Sequence, residues 1–207
     1  MSTIAPPRHA LGWPPGSIRA ILALMVVGLV CALMLMPLRD QRVVPIPAYL
    51  LYLLFLVLGH YFAARGHSRT EGDPWNRQPL WLPRGSIRLL LLTSLTATAI
   101  YRYVTDPEGF EQQWLASVQS LREYPMLPVI VLAGFFLGAL LRMLIGRHPA
   151  PWFQDLEAWL SLVAVLLMCV ATMIHLVIDP SLSERMDLPF WEGLLAAVVA
   201  FYFGERS

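Results

Sequence analysis

Two histidines lie inside long apolar runs of the sequence, where polar side chains are rare and usually have a role. His60 and His175 carry imidazole nitrogens, which ligate haem iron and other metals, so each is a candidate haem or metal ligand. Neither has a second histidine four residues away, as a metal site on one helix face would need. The sequence therefore favours a hydrogen bond from each histidine to a neighbouring helix, and no cofactor is expected.

The tetrapeptide Gly-Ser-Ile-Arg occurs twice, at an offset of 69 residues, directly after a proline in the first copy and one residue after a proline in the second, and each time just before an apolar run. Glycine permits an unusual backbone angle, serine is a good helix N-cap, and arginine one turn inside a membrane helix reaches back to lipid phosphate. One interpretation is a docking point for a partner or an anionic headgroup. The favoured one is a duplicated, capped and anchored helix. The candidate contact residues are Gly16, Ser17, Arg19, Gly85, Ser86 and Arg88.

Small residues one turn apart indicate where helices pack closely. Gly134 and Gly138 form a GxxxG motif, which lets two membrane helices approach at backbone distance. The same spacing recurs in three other apolar runs, at Gly28 and Ala32, at Gly59 and Ala63, and at Ala196, Ala200 and Gly204. The spacing fits either packing within the chain or an interface with another subunit.

The amino-acid composition indicates the environment in which these residues lie. Hydrophobic residues make up 57% of the 207 residues and charged residues only 14%, against roughly a quarter in soluble domains. This excludes a disordered chain, a disulfide scaffold and a nucleic-acid-binding domain with a basic surface. Six apolar runs predict an all-α polytopic integral membrane protein with transmembrane helices at Ile18–Met36, Pro47–Ala64, Ser86–Val104, Met126–Ile145, Glu157–Ile178 and Pro189–Phe203. The connections are expected to be short, except for long loops at about 65–85 and 105–125.

The repeated tetrapeptide predicts an internal repeat of two helices. Its copies span residues 13–67, 82–148 and, more faintly, 152–205, where Gly-Ser-Ile-Arg is missing. Each copy holds an even number of spans, so the copies enter the membrane in the same direction and are parallel repeats.

Arginine placement predicts the orientation, since cytoplasmic loops are rich in positive charge. With six spans, ten arginines fall on the side of the termini, and five fall on the other side: Arg39, Arg42, Arg102, Arg122 and Arg185. Both termini are therefore expected in the cytoplasm, most simply of a bacterial inner membrane. An aromatic belt is expected on the same side, at Trp13, Trp81 and Trp152.

The functional expectation rests on what the sequence lacks. It has no nucleophile elbow, phosphate-binding loop, HExxH motif or paired intramembrane aspartates, so an enzyme is not expected. The first choice is a non-catalytic subunit that packs with other membrane proteins, or with itself, to assemble or stabilise a complex in the lipid bilayer. The alternative is a small channel or transporter with a path between the repeats. No nucleic-acid partner is expected.

Overall fold

The computed structural model of the protein describes residues 14, 16–36, 45–63, 80, 85–145, 151–177 and 189–205. Within these ranges the chain forms helices joined by turns and short irregular stretches, and it contains no strand. The seven helices are α1 Ser17–Leu35, α2 Ala48–Ala63, α3 Ser86–Thr105, α4 Pro107–Glu123, α5 Leu127–Ile145, α6 Pro151–Val177 and α7 Pro189–Glu205.

Three helices are long and apolar enough to cross a membrane: Ser17–Leu35, Leu127–Leu144 and Asp155–Ile174. Helix α2 is apolar but has only 16 residues, a length of about 24 Å at the helical rise of about 1.5 Å per residue. Helix α3 has 20 residues, but its threonines and serine lower its hydropathy. The structure thus supports a helical membrane bundle, and the six spans stay a prediction.

Six helices begin and end close to the predicted apolar runs. The largest difference is at α6, which begins at Pro151 rather than at the predicted Glu157. Glu157 therefore lies well inside the helix and is only 4% exposed.

The prediction of a loop at about 105–125 is wrong, because α4 fills this segment. The Asp106 carboxylate accepts a hydrogen bond from the Gly109 amide at 3.0 Å, and Pro107 occupies the first turn. An aspartate N-cap followed by proline is a favourable helix start, so the pair that ends α3 also begins α4. A search for apolar runs misses this helix, since about half of its residues are polar or charged.

Helix α4 is tied to the bundle by buried polar side chains as well as by Phe110 and Leu121, which pack against the core. The Ser117 hydroxyl accepts a hydrogen bond from the Ile46 amide at 2.9 Å, and the Gln113 side-chain amide donates to the Leu33 carbonyl at 3.1 Å. Both contacts are buried, and they join α4 to the end of α1 and the start of α2. The helix therefore lies across one end of the bundle.

Contacts between neighbouring helices give their relative directions. Arg19 near the start of α1 meets His60 near the end of α2, and Tyr49 near the start of α2 meets Thr172 near the end of α6. Helix α2 thus runs opposite to both α1 and α6. His60 also meets Phe203 near the end of α7, so α2 and α7 run the same way.

The remaining apolar helices complete this alternation. Gly134 and Gly138 of α5 lie beside Ala197 and Phe201 of α7, in the same order along both helices, so α5 and α7 are parallel. Leu35 of α1 shares a groove with the second half of α3, and the two helices start together, so they are parallel as well. The apolar helices therefore alternate in direction along the chain.

Helices α2, α5 and α7 all pack on one another, and α5 with α7 forms the most extensive pair. Helix α1 packs against α2, α3 and α6. Their shared centre is filled by fully buried apolar side chains, among them Leu22, Val26, Leu53, Val57 and Phe203. Among the described residues α3 packs mainly on α1 and α4 rather than on α5, the other helix of its predicted repeat. The repeat relationship stays a prediction.

Candidate functional site

The two copies of Gly-Ser-Ile-Arg start their helices with the same backbone geometry. Gly16 has φ 81° and ψ −4°, and Gly85 has φ 88° and ψ −14°, both in the left-handed region. In each copy glycine is the N-cap, and serine is the first helical residue. The prediction of a serine N-cap is therefore wrong, since the chain turns through a left-handed residue that only glycine adopts without strain.

Ser17 has a different role from capping. Its side chain is fully buried, and its hydroxyl accepts a hydrogen bond from the Leu80 amide at 3.0 Å. Its own amide donates to the Pro14 carbonyl at 3.1 Å, which closes the turn around Gly16. Ser86 holds the corresponding place at the start of α3 and is half-buried. The first copy thus fixes residue 80, just upstream of the second.

We expect Gly85→Ala to lower the free energy of unfolding by about 1–2 kcal/mol, the usual cost of a left-handed alanine. A Cβ at Gly85 meets nothing within 4 Å, so backbone strain alone sets this loss. The measurement is unfolding of the purified protein by sodium dodecyl sulfate in mixed micelles. Gly59→Ala is the control, because its Cβ also meets nothing but its backbone is helical. Equal stability of the two variants would contradict a left-handed requirement at Gly85.

Arg19 and His60 form a polar contact where α1 begins and α2 ends. The Arg19 guanidinium lies 3.3 Å from His60 Nε2. Because a guanidinium has no acceptor, it donates and the imidazole nitrogen accepts. The His60 ring packs edge-on against Phe203, at 5.3 Å between centroids. His60 is therefore bonded to a neighbouring helix, the arrangement that the sequence favours.

Arg88 reaches the same end of the bundle from α3. Both Arg19 and Arg88 interact electrostatically with Tyr61, and Tyr202 of α7 is a further neighbour. The two repeated arginines thus lie at the same end of the bundle as Tyr61. Sequence reasoning missed Tyr61 and Tyr202, since aromatic residues near the ends of apolar runs are common and nothing in their spacing sets these two apart.

Further charged groups lie at this end of the bundle. Arg142 of α5 donates to the Glu205 backbone carbonyl at 3.5 Å. Glu205 near the end of α7 and Glu157 in α6 are both buried, at 6% and 4% exposure. The end of the bundle where α1, α3 and α6 begin therefore carries basic and acidic side chains from five helices.

The described residues form no cluster that would support the hypothesis of a metal site, and the haem hypothesis stays a prediction. No group of three histidine, cysteine or acidic side chains is arranged there to hold a metal ion. His175 lies in α6, but its side chain is outside the described residues, so its role as a ligand stays a prediction. Of the tryptophans in the predicted belt, Trp152 is exposed at 68%, and Trp13 and Trp81 lie outside the described residues.

Gly134 and Gly138 lie against α7 of the same chain. A Cβ at Gly134 would overlap the Ala197 carbonyl oxygen, and one at Gly138 would overlap that of Phe201. On the α7 side, a Cβ at Gly204 would overlap the Phe135 carbonyl oxygen. These glycines therefore form a close backbone contact, here called the seam, between α5 and α7.

Gly28 and Ala32 of α1 and Gly59 of α2 lie on open surface, whereas Ala196 and Ala200 of α7 are fully buried. Nothing lies within 4 Å of a Cβ at Gly28 or Gly59, and Ala32 is exposed. Small residues four apart therefore lie in a close helix contact in α5 and on an exposed face in α1. What separates the two cases is the neighbouring helix, which the spacing does not encode.

Helix α3 is the least covered of the apolar helices. Only Ile87, Leu91 and Arg102 are buried on it, and Arg102 forms an ion pair with Asp106 at 3.5 Å. Thr93 donates to the Leu89 carbonyl at 2.8 Å, so its hydroxyl is satisfied within the helix. This self-satisfaction is the arrangement expected for membrane-helix hydroxyls.

A groove of about 540 Å³ lies between α1 and α3 and is lined by Leu35, Ala97, Thr98 and Tyr101. Exposed small or hydroxyl-bearing residues continue from it along both helices. We call this surface the α1–α3 face and define it by Gly28, Ala32, Leu35, Thr93, Ala97 and Tyr101.

Comparison with known proteins identifies no matching family model, no matching curated protein and no matching solved structure. The arrangement of the residues is therefore the basis for the functional proposal.

Proposed function

We propose that the protein is a non-catalytic integral membrane subunit that packs against another membrane protein and so helps to assemble or stabilise a complex. In this proposal the six apolar helices all cross the membrane as three parallel two-helix repeats, and α4 lies at the outer surface. Both termini are in the cytoplasm, and the membrane is a bacterial inner membrane. The alternating helix directions and the matching Gly16 and Gly85 geometries support this arrangement.

The observation that carries the proposal is the α1–α3 face. Lipid-facing surfaces are normally strongly apolar, as on α5 and α6, where large side chains such as Phe136, Leu144 and Leu166 are exposed. The α1–α3 face exposes glycine, alanine and threonine around a groove, beside the large side chains of Leu35 and Tyr101. Small and hydroxyl-bearing residues are typical of helix–helix interfaces in membranes, because they allow close backbone approach.

The partner that fits this face is a transmembrane helix with small residues of its own. Its backbone would pass over Gly28 and Ala32, and a larger side chain would enter the groove beside Tyr101. A subunit role is favoured over a channel because the described centre of the bundle is filled with apolar side chains. Self-association through the same face is an outcome that the experiment below distinguishes.

We expect Gly28→Leu to release a co-purifying membrane protein while leaving the isolated protein folded, because a Cβ at Gly28 meets nothing within the chain. The measurement is recovery of the complex after solubilisation in a mild detergent, with its mass from light scattering. Ala133→Leu, on the exposed surface of α5, is the control. If Gly28→Leu and the control retain the same partner and mass, the α1–α3 face is not an interface. A wild-type mass of two copies would identify the partner as the protein itself.

A further inference from the structure

The two sides of α4 differ in chemistry. Gln113 and Ser117 face the bundle, where both are buried. On one side of them lie Phe110, Trp114 and Val118, which are spaced by four residues and share a face of the helix. On the other side lie four exposed polar residues: Glu108, Gln112, Gln119 and Glu123. A helix with one aromatic and one polar flank is suited to lie between an apolar and an aqueous phase.

The aromatic side of α4 continues the exposed surface of α3. The Phe110 ring packs edge-on against Tyr103 of α3, at 6.2 Å between centroids. Tyr103 lies about three helical turns after Leu92, so the two share one face of α3, and both are exposed. Trp114, one turn after Phe110, is 52% exposed. We call this surface the aromatic flank and define it by Tyr103, Phe110, Trp114 and Val118.

Helix α4 lies at the depth where the apolar helices end. It begins two residues after Thr105, the last residue of α3. The Tyr52 hydroxyl, near the start of α2, donates to the Leu121 carbonyl at 3.4 Å. Transmembrane helices end near the headgroup layer, so the aromatic flank lies at that level as well. Tryptophan and tyrosine are enriched there, because their rings are apolar and their N–H and O–H groups reach water.

The charge of α4 argues against attraction to anionic headgroups as the force that holds it. Its three carboxylates, Glu108, Glu111 and Glu123, outnumber the one guanidinium, that of Arg122. Segments that bind anionic lipid by charge are instead rich in lysine and arginine. Burial of apolar surface is therefore the force available, and it acts in bilayers of any headgroup charge.

We propose that α4 is an interfacial helix, whose aromatic flank is embedded at the boundary between the lipid headgroups and the hydrocarbon, while its polar flank faces water. The occupant of the flank is the bilayer itself, because the exposed face of α3 and the side of α4 that adjoins it meet the same surroundings. This placement rests on the proposed membrane span of α3 and requires no partner subunit. It anchors one end of the bundle at a fixed depth.

The test uses nitroxide labels on single cysteines in the full chain, with Cys31 and Cys169 replaced by alanine, in phosphatidylcholine vesicles. Oxygen is concentrated in lipid and a nickel chelate in water, so the ratio of their collision rates with the label gives its depth. We expect the labels of Trp114→Cys and Val118→Cys to lie about 5–10 Å inside the headgroup boundary. Val118→Cys keeps the test valid if loss of the Trp114 ring disturbs α4.

Gln112→Cys and Gln119→Cys are the matched controls, because they lie on the polar flank of the same helix. Their labels should collide with the nickel chelate as labels in water do. Nickel collisions of equal rate on both flanks would overturn the proposal. Leu92→Cys tests the span of α3 separately, since its label should lie in the hydrocarbon. Lipid exposure at residue 92 with water exposure at residues 114 and 118 would overturn the interfacial helix alone, and water exposure at residue 92 would contradict the span itself.

A protein partner and lipid charge give different results. Labels at residues 114 and 118 that are shielded from both oxygen and nickel would show a protein contact and overturn the assignment to lipid. The depth should stay the same when half of the lipid is phosphatidylglycerol. Insertion that occurs only with this anionic lipid would overturn burial of the aromatic flank as its cause.

Discussion

Replacing Gly138 with leucine is expected to separate α5 from α7 and to lower the free energy of unfolding by more than about 3 kcal/mol, beyond the usual cost of an overpacked core. A Cβ at this position would overlap the Phe201 carbonyl oxygen and would lie 2.8 Å from the Glu205 amide nitrogen. Both obstacles are backbone atoms, so a rotamer change cannot relieve the overlap and the helices have to move apart. The measurement is equilibrium unfolding in mixed micelles, with monodispersity checked by size exclusion.

Gly28→Leu is the matched control for that experiment, because the same substitution is made in an apolar helix where a Cβ meets nothing within 4 Å. Measured on the isolated protein, it should change stability by less than about 0.5 kcal/mol, as surface substitutions usually do. Similar unfolding midpoints for Gly138→Leu and wild type would show that the seam between α5 and α7 is looser than its geometry indicates.

Ser117→Ala is expected to destabilise the attachment of α4 by about 1–3 kcal/mol, the usual cost of leaving a buried donor unsatisfied. The Ser117 hydroxyl accepts from the Ile46 amide at 2.9 Å, and both residues are buried. Hydrogen exchange measured by mass spectrometry should show faster exchange in peptides from α4 and from the start of α2. The far helices α5 and α7 should keep their protection.

Ser120→Ala is the control on the same helix. Its hydroxyl donates to the Ser117 carbonyl at 2.8 Å and reaches the Ile46 carbonyl only at 3.5 Å. Its loss leaves no buried amide without an acceptor, so exchange in α4 should rise much less. If both serine variants exchange alike, the hydrogen bond from Ile46 is not what holds α4 in place.

Apolar runs sufficed to predict six helices, because a stretch that is hydrophobic on every side has few structures open to it in a membrane. Helix α4 could not be found in this way. It is held by Ser117 and Gln113, and its start is marked by Asp106 and Pro107, a pair that also fits a helix end. A polar helix that covers the end of a bundle has no continuous apolar run to detect.

The candidate site was predictable in part. Repetition of Gly-Ser-Ile-Arg singled out Arg19 and Arg88, but the contact of Arg19 with His60 depends on how α1 and α2 pack. The glycine was correctly expected to need an unusual backbone angle, and the cap was assigned to the wrong residue. The spacing of residues in the sequence shows which of them share one face of a helix. It does not show which other helix packs against that face.

The seam between α5 and α7 has a consequence for biosynthesis. Membrane helices are inserted in chain order, and more than forty residues separate the end of α5 from the start of α7. During translation Gly134 and Gly138 therefore have no α7 backbone to pack against until residues 189–205 have been made. A chain that ends before residue 189 therefore lacks the helix on which Gly134 and Gly138 pack.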